Sequence, residues 1–178
     1  MRIREATPVD AERIREVHYE SITELGTQAY DHEQVKAWAA GCESADYMSS
    51  ITADEVVFVV ADIDEIVIGF GSLTLAAPNN YDSEIEAEIT GVYVHPTVAQ
   101  QGIGTCIYTE LEQQARANEI QSVGLSASLN AVSFYETHGF ERVQEHTHEF
   151  SRHESTGATG IVVEMKKNCE HHRQSLCS

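Results

Sequence analysis

One segment constrains the fold more than any other, because it joins a short apolar strand pattern to an amphipathic helix pattern at residues 92–115. Pro96 ends the strand pattern. An apolar stripe at intervals of four residues then follows, formed by Ile103, Ile107, Leu111 and Ala115. Gly102 and Gly104 stand where the helix begins, although glycine costs up to about 1 kcal/mol there relative to alanine. The pattern indicates either a tight turn or a place where a ligand approaches the backbone closely.

The rest of the chain alternates short strand patterns with helix patterns. The run VVFVVADIDEIVIGFGSLTL predicts a hairpin with its turn at 62–65. Two earlier helix patterns begin at the caps Asp10 and Asp31, and Gly41 is predicted to stop the second. The order β-α-α-β-β-β-α-β-α-β-β predicts one mixed α/β domain, with a mainly antiparallel central sheet and helices on both faces. We expect this domain to span 1–167, followed by an unstructured tail at 168–178.

Length and composition favour a globular cytoplasmic protein. A chain of 178 residues with 42% hydrophobic residues can bury the core of one domain. Its apolar runs are too short to cross a bilayer, and residues 1–20 lack the apolar stretch of a secretory signal. We therefore expect reduced thiols at the four cysteines, Cys42, Cys106, Cys169 and Cys177.

The chain is strongly acidic. Asp and Glu number 29 against 11 Lys and Arg, which gives a formal net charge of -18. Such a surface repels nucleic acid and anionic membranes, so we expect neither as a partner. An acidic, lysine-poor surface is also typical of proteins that work in concentrated salt, where self-repulsion is screened. We favour the interpretation that the protein is halophilic, and the alternative is an acidic protein that works at ordinary salt concentrations.

The glycine turn has the chemistry of an anion site. The first N–H groups of a helix lack intrahelical partners, and together with the positive end of the helix dipole they suit a pyrophosphate. A Walker loop is excluded because no lysine follows Gly104, and of the dinucleotide motif GxGxxG only the first half is present. On the glycines alone, a tight turn without a ligand remains an equal alternative.

Two motifs together resemble the GNAT superfamily of acyl-CoA-dependent acyltransferases. The first is the turn at 99–104, which is similar to the family's [QR]xxGx[GA] pattern after the fourth strand. The second is the more specific FYExxGF signature, matched by Phe134, Tyr135, Glu136, Gly139 and Phe140. The similarity extends over residues 2–166. It implies a GNAT-like fold, acetyl-CoA as co-substrate, and transfer of the acetyl group to a primary amine.

The resemblance also implies which residues contact the co-substrate. They are Val92, Tyr93, Val94, Ala99, Gln100, Gln101, Gly102, Ile103, Gly104, Thr105, Ser128 and Asn130. Ala99 departs from the usual Gln or Arg, but a cradle of backbone N–H groups does not depend on that side chain. Ser128 and Asn130 could contact the pantetheine arm or cap the last helix, and we favour capping.

For the chemistry, the resemblance assigns Tyr135 as the general acid, with core packing as the alternative role. Glu88 is the best candidate for the base, although a solvated strand face explains it equally well. His95 and a chain of ordered waters are rival bases. Cys106 is interpreted as a helix residue rather than a nucleophile.

Several features stay open at this stage. The sequence does not identify the acceptor amine. Candidate residues around its binding site are Tyr30, His32, Trp38 and the loop APNNYDSE. Near the last hairpin (His146, His148, His153), alternation would place His146 and His148 on one strand face as a possible two-ligand set, and the tail matches no zinc module. Solvated polar residues are the favoured explanation, so no metal site is predicted. A homodimer through the last strands fits the family. The alternative function is a catalytically silent acyl-CoA-binding or sensor module of the same fold.

Overall fold

A computed structural model describes residues 1–150 and 157–169. The strands are β1 (Arg2–Glu5), β2 (Val56–Ile63), β3 (Ile66–Thr74), β4 (Ala87–Val94), β5 (Ser122–Ser128), β6 (Glu141–Glu149) and β7 (Thr159–Asn168). The helices are α1 (Ala11–Leu25), α2 (His32–Ser44), α3 (Tyr47–Thr52), α4 (Ile103–Ala117) and α5 (Val132–Thr137). Within the described ranges, no helix is long and apolar enough to cross a membrane.

The strands form one sheet in the order β1-β2-β3-β4-β5-β7-β6. Among the described strands, only β4 and β5 pair in parallel, because α4 crosses from the end of one to the start of the other. Every other neighbouring pair is antiparallel. The predicted mixed, mainly antiparallel sheet is confirmed.

Helices cover both faces of the sheet, as predicted, and β2 shows how the sequence achieves this. Val59 and Ala61 pack into the cluster that contains α4, whereas Phe58 and Val60 pack into the cluster that contains α1. Successive side chains on a strand point to opposite faces, so a continuous apolar run predicts burial on both. The apolar stripe of α4 is buried throughout, which confirms the helical period.

Two details of the helical layer differ from prediction. Gly41 does not stop α2, which continues to Ser44, because burial of Cys42 at 2% exposure favours another turn of helix. The short helix α3 was not predicted. Asp46 caps it by accepting a 3.0 Å hydrogen bond from the Ser49 N–H.

Asp10 lies at the start of α1 as predicted, but its side chain does not cap that helix. Its carboxylate instead accepts a 2.8 Å hydrogen bond from the Thr7 N–H and two from Arg4, also at 2.8 Å. Asp62 accepts from the same guanidinium, at 2.6 Å. This network fastens β1 and the start of α1 to β2.

The C-terminal part of the sheet is longer than the sequence indicated. Asn168 still belongs to β7, and the buried Cys169 donates a 2.8 Å backbone hydrogen bond to the Gln121 carbonyl. The remainder of the predicted tail, 170–178, lies outside the described residues, as does His153. Cys42, Cys106 and Cys169 are free thiols.

Candidate active site

The central strands separate in the middle of the sheet. β4 and β5 pair only through Ala87 opposite Val123 and Glu88 opposite Gly124. A β-bulge follows on β4, because Thr90 is the extra residue between Ile89 and Gly91. Beyond this point β4 and β5 no longer pair, which leaves a gap between the two strands.

A cavity of about 340 Å³, the first cavity, lies at this opening. Most of the residues predicted to contact the co-substrate line it, together with the predicted acid Tyr135: Val92, Tyr93, Val94, Ala99, Gln100, Gly102, Gly104, Thr105, Ser128 and Asn130. Gln101 is exposed and Ile103 is buried beneath α4, so neither side chain lines it. The structure thus brings the glycine turn, β4 and α5 to one cavity.

The two glycines of the turn have different roles. Gly102 precedes α4 with φ of +83°, a left-handed conformation that follows another at Gln100 with φ of +61°. Gly104 allows close packing instead, since a Cβ there would lie 3.3 Å from the Phe134 ring. The turn therefore leaves the first N–H groups of α4 at the cavity, where the helix dipole favours an anion.

Tyr135 is the one candidate catalytic side chain that lines the first cavity. It is buried at 5% exposure and packs against Phe134 and Phe140. Burial raises the pKa of the Tyr135 phenol, and a hydrogen bond with the Val92 backbone opposes that rise. The phenol therefore stays protonated at neutral pH and can donate its proton.

The prediction that Ser128 or Asn130 caps the last helix is wrong. Ala131 is the N-cap of α5, and no side chain accepts a capping hydrogen bond there. The Asn130 Oδ1 atom is instead buried at the first cavity and has no hydrogen-bond partner among the described residues. A buried acceptor without a partner costs free energy, so this atom is suited to an N–H donor on a ligand.

Glu88 lies at the vertex where β4 and β5 separate, and its side chain does not line the first cavity. Its Oε1 accepts a 2.6 Å hydrogen bond from the Tyr81 hydroxyl. Burial raises the pKa of Glu88, and the hydrogen bond from Tyr81 opposes that rise. A half-buried carboxylate with a raised pKa has the properties of a general base.

Sequence reasoning missed Tyr81 and the residue that fixes its loop. Glu164 of β7 is buried at 1% exposure, and its carboxylate accepts backbone hydrogen bonds from Asp82 at 3.1 Å and Ser83 at 2.9 Å. The loop is thereby held against the sheet. Tyr81 lies within APNNYDSE, which was predicted to border the acceptor, but its spacing did not single it out.

A second cavity, of about 230 Å³, continues from the opening toward α2. Tyr135, Trp38 and Tyr93 line both cavities, and Thr90 and Ser126 line the second. Of the other two predicted walls, His32 is exposed at the start of α2. Tyr30 is buried in a supporting position, where its hydroxyl donates a 2.6 Å hydrogen bond to the Ile161 carbonyl.

The remaining candidates lie elsewhere. His95 Nδ1 lies 2.7 Å from the Thr97 hydroxyl, and its Nε2 pairs with Glu20, so this side chain is engaged in the turn after β4. Cys106 is exposed on α4. His146 Nε2 contacts Glu164 at 3.0 Å and Asp82 at 3.2 Å, so the three side chains could bind a cation as a group.

Comparison with known proteins places this geometry in a family. The family model for the acetyltransferase (GNAT) domain matches residues 26–154. The chain is 22% identical over 145 residues to the uncharacterised N-acetyltransferase YafP of Escherichia coli (strain K12), covering 82% of this chain and 84% of that protein.

Two solved structures share the fold at low sequence identity. A GCN5-related N-acetyltransferase from Rhodopseudomonas palustris has a TM-score of 0.77 at 24% identity, over 94% of each chain. The PaiA N-acetyltransferase from Thermoplasma acidophilum, solved in complex with coenzyme A, has a TM-score of 0.72 at 23% identity, over 94% of this chain and 98% of that one. Because the family model matches more than half of the sequence, the chain belongs to the GNAT acetyltransferase family.

Proposed function

We propose that this protein is an N-acetyltransferase, which moves the acetyl group of acetyl-CoA to a primary amine of a small molecule or peptide by direct attack in a ternary complex. The observation that carries the proposal is the first cavity, because it joins the glycine turn to Tyr135 along the open edge of β4. The structural neighbour from Thermoplasma acidophilum holds coenzyme A, which supports the choice of co-substrate.

The residues of the first cavity fit the parts of the co-substrate. The N–H groups of the turn from Gln101 to Thr105 suit the pyrophosphate, and Ile103 contributes only its backbone because its side chain lies in the core. The edge of β4 at Val92 and Val94, which β5 does not cover, suits the amides of the pantetheine arm, and a bound amide would compete with Tyr135 for the Val92 backbone. Asn130 Oδ1 supplies a buried acceptor for a pantetheine N–H.

The co-substrate supplies an activated acetyl thioester. Glu88 accepts the proton of the acceptor amine, directly or through water, as the new C–N bond forms. Backbone N–H groups at the bulge near Thr90 stabilise the negative charge on the carbonyl oxygen. Tyr135 donates its proton to the thiolate that leaves when the C–S bond breaks.

The first test is calorimetric titration of acetyl-CoA, with CoA and ATP as comparisons, in dilute buffer and again in molar KCl. We expect acetyl-CoA and CoA to bind and ATP not to bind. Absence of acetyl-CoA binding to folded protein in both buffers would contradict the proposal.

Catalysis is tested separately with Tyr135→Phe. We expect this variant to bind acetyl-CoA as the native protein does but to lose about two orders of magnitude in turnover. Cofactor binding without turnover by either protein, across a panel of amines, would favour the silent acyl-CoA-binding module.

A further inference from the structure

A third cavity, of about 230 Å³, lies between α1, α3 and the strands β2 to β4. Three of its rings form a row across the strands: Phe58 and Phe70 have centroids 5.6 Å apart, and Phe70 and Tyr93 have centroids 5.3 Å apart. Thr90 and Tyr93 line both this cavity and the second one. The third cavity therefore adjoins the second one at Thr90 and Tyr93, close to the proposed point of acetyl transfer.

His18 supplies a polar atom that nothing in the described structure satisfies. Its Nδ1 lies 2.8 Å from the Tyr47 hydroxyl, whereas its Nε2 is buried without a hydrogen-bond partner among the described residues. His18 lines the third cavity, and its ring lies 4.1 Å from that of Tyr93. A buried polar atom without a partner is costly, so its position beside a cavity indicates a ligand group.

The protonation state of His18 limits which ligand group could pair with its Nε2 atom. Burial lowers the pKa of His18 to about 4, so the imidazole is neutral at physiological pH. Neutral Nε2 accepts or donates a hydrogen bond according to which nitrogen carries the proton. A hydroxyl group matches either case, because it can donate and accept.

The charges around the third cavity favour a neutral ligand arm over a second ammonium group. The carboxylate of Asp46 accepts hydrogen bonds from the Ser49 N–H at 3.0 Å and from its hydroxyl at 2.7 Å. The Arg15 guanidinium lies 5.0 Å above the Tyr47 ring and carries a compensating positive charge. Among the described residues, the lining therefore offers aromatic surface, the neutral His18 and one carboxylate, that of Asp46, which already accepts two hydrogen bonds from Ser49.

We propose that the third cavity binds the acceptor, and that the acceptor is a primary amine joined by a short linker to an aromatic ring that carries a hydroxyl group. The ring lies among Phe58, Phe70 and Tyr93, the hydroxyl pairs with His18 Nε2, and the amine extends past Thr90. This assignment rests on the proposed acetyl transfer and specifies the class of its acceptor.

The test compares acceptors that differ by a single group, with the full chain and saturating acetyl-CoA. Tyramine and phenethylamine share a skeleton and differ by the ring hydroxyl, and putrescine represents aliphatic diamines. We expect kcat/KM for tyramine to exceed that for phenethylamine by about tenfold, with putrescine below both. In His18→Phe the ratio of tyramine to phenethylamine should fall to about one. An unchanged ratio in that variant, or a preference for putrescine, overturns the proposal.

A second measurement needs no variant and does not depend on turnover. We expect the ¹⁵N resonance of His18 Nε2 to move when tyramine is added to the CoA-bound protein, and to move much less with phenethylamine. Acetylation of aliphatic amines without that movement overturns the acceptor assignment alone. Movement without acetylation of any amine supports the binding site and overturns the acetyltransferase proposal instead.

Discussion

The Tyr81 hydroxyl donates a 2.6 Å hydrogen bond to Glu88 Oε1, at the vertex where the central strands part. This bond stabilises the carboxylate and opposes the rise in the pKa of Glu88 that burial causes. In Tyr81→Phe we therefore expect a further rise in that pKa. The acidic limb of the kcat/KM profile should move to higher pH, since more protein then carries a protonated base.

The measurement is kcat/KM against pH for Tyr81→Phe and native protein, with Tyr19→Phe on the exposed side of α1 as a control. In Glu88→Gln the acidic limb should disappear together with most of the rate. An acidic limb that stays in place in Tyr81→Phe would argue that another group is the base.

Replacing Asn130 should raise the stability of the free protein and weaken its binding of acetyl-CoA. Asn130→Leu removes a buried acceptor that has no partner among the described residues, so the free protein should gain about 1 kcal/mol of stability. The same change should weaken acetyl-CoA binding by about two- to tenfold, because one hydrogen bond is lost. Calorimetry and thermal unfolding measure both, with the exposed Gln113→Leu on α4 as the control. Unchanged affinity would contradict the proposed contact.

Gly91 is required by the ring that lies over it. A Cβ at Gly91 would overlap Cε2 of Tyr93, and Tyr93 lines all three cavities. Gly91→Ala must displace that ring, so we expect kcat/KM to fall by at least about tenfold, with some loss of stability. Gly41→Ala is the matched control, since nothing lies within 4 Å of a Cβ there and alanine should stabilise α2 by about 0.5 to 1 kcal/mol. Equal activity of the two variants would refute this role for Tyr93.

Asp10 should make the fold sensitive to acid. The Arg4 guanidinium holds the pKa of Asp10 at about 2, below its ordinary value of 3.8. The carboxylate therefore contributes its full stability above about pH 4, and that contribution is lost as the pH falls toward 2. After allowance for screening by water, Asp10→Asn should cost roughly 1 to 2 kcal/mol at neutral pH and little at pH 2. Urea unfolding of the native protein and of Asp10→Asn between pH 2 and 7 measures this loss of stability, with the exposed Asp54→Asn as control. A loss of stability that does not depend on pH would refute the prediction.

The charge of -18 predicts a response to salt. If the protein is halophilic, its melting temperature should keep rising between about 0.1 M and about 2 M KCl, because screening relieves repulsion among the carboxylates. A melting temperature that levels off at low salt would favour an acidic protein adapted to ordinary conditions.

The fold was predictable where local pattern and tertiary packing agree. The stripe from Ile103 to Ala115 has the helical period and is buried as that period requires. The short helix α3 lacks such a period and depends on the Asp46 cap and on the burial of Tyr47 at 6% exposure. A helix of that length has no periodic signal in the sequence.

The grouping of the glycine turn and Tyr135 at one cavity was predictable, because each of the two motifs is a continuous run of residues in the sequence. The proposed acceptor site depends on contacts between positions that are distant in the sequence. His18 meets Tyr47 across 29 positions, and Glu164 meets the Ser83 loop across 81. The bulge at Thr90 has no local signature either, since it follows from the register between β3 and β4. Such juxtapositions exist only after the sheet has assembled.

The short seam between β4 and β5 has a mechanical consequence. The sheet has two parts, β1 to β4 and β5 to β7, which pair along a short seam at Ala87 and Glu88, beside one further backbone hydrogen bond from Glu86 to Ser122. A pantetheine arm that pairs with the uncovered edge of β4 would add backbone hydrogen bonds where β4 and β5 no longer pair. Binding of the co-substrate would then also stiffen the sheet, so the stability of the fold would rise with the fraction of protein that is bound.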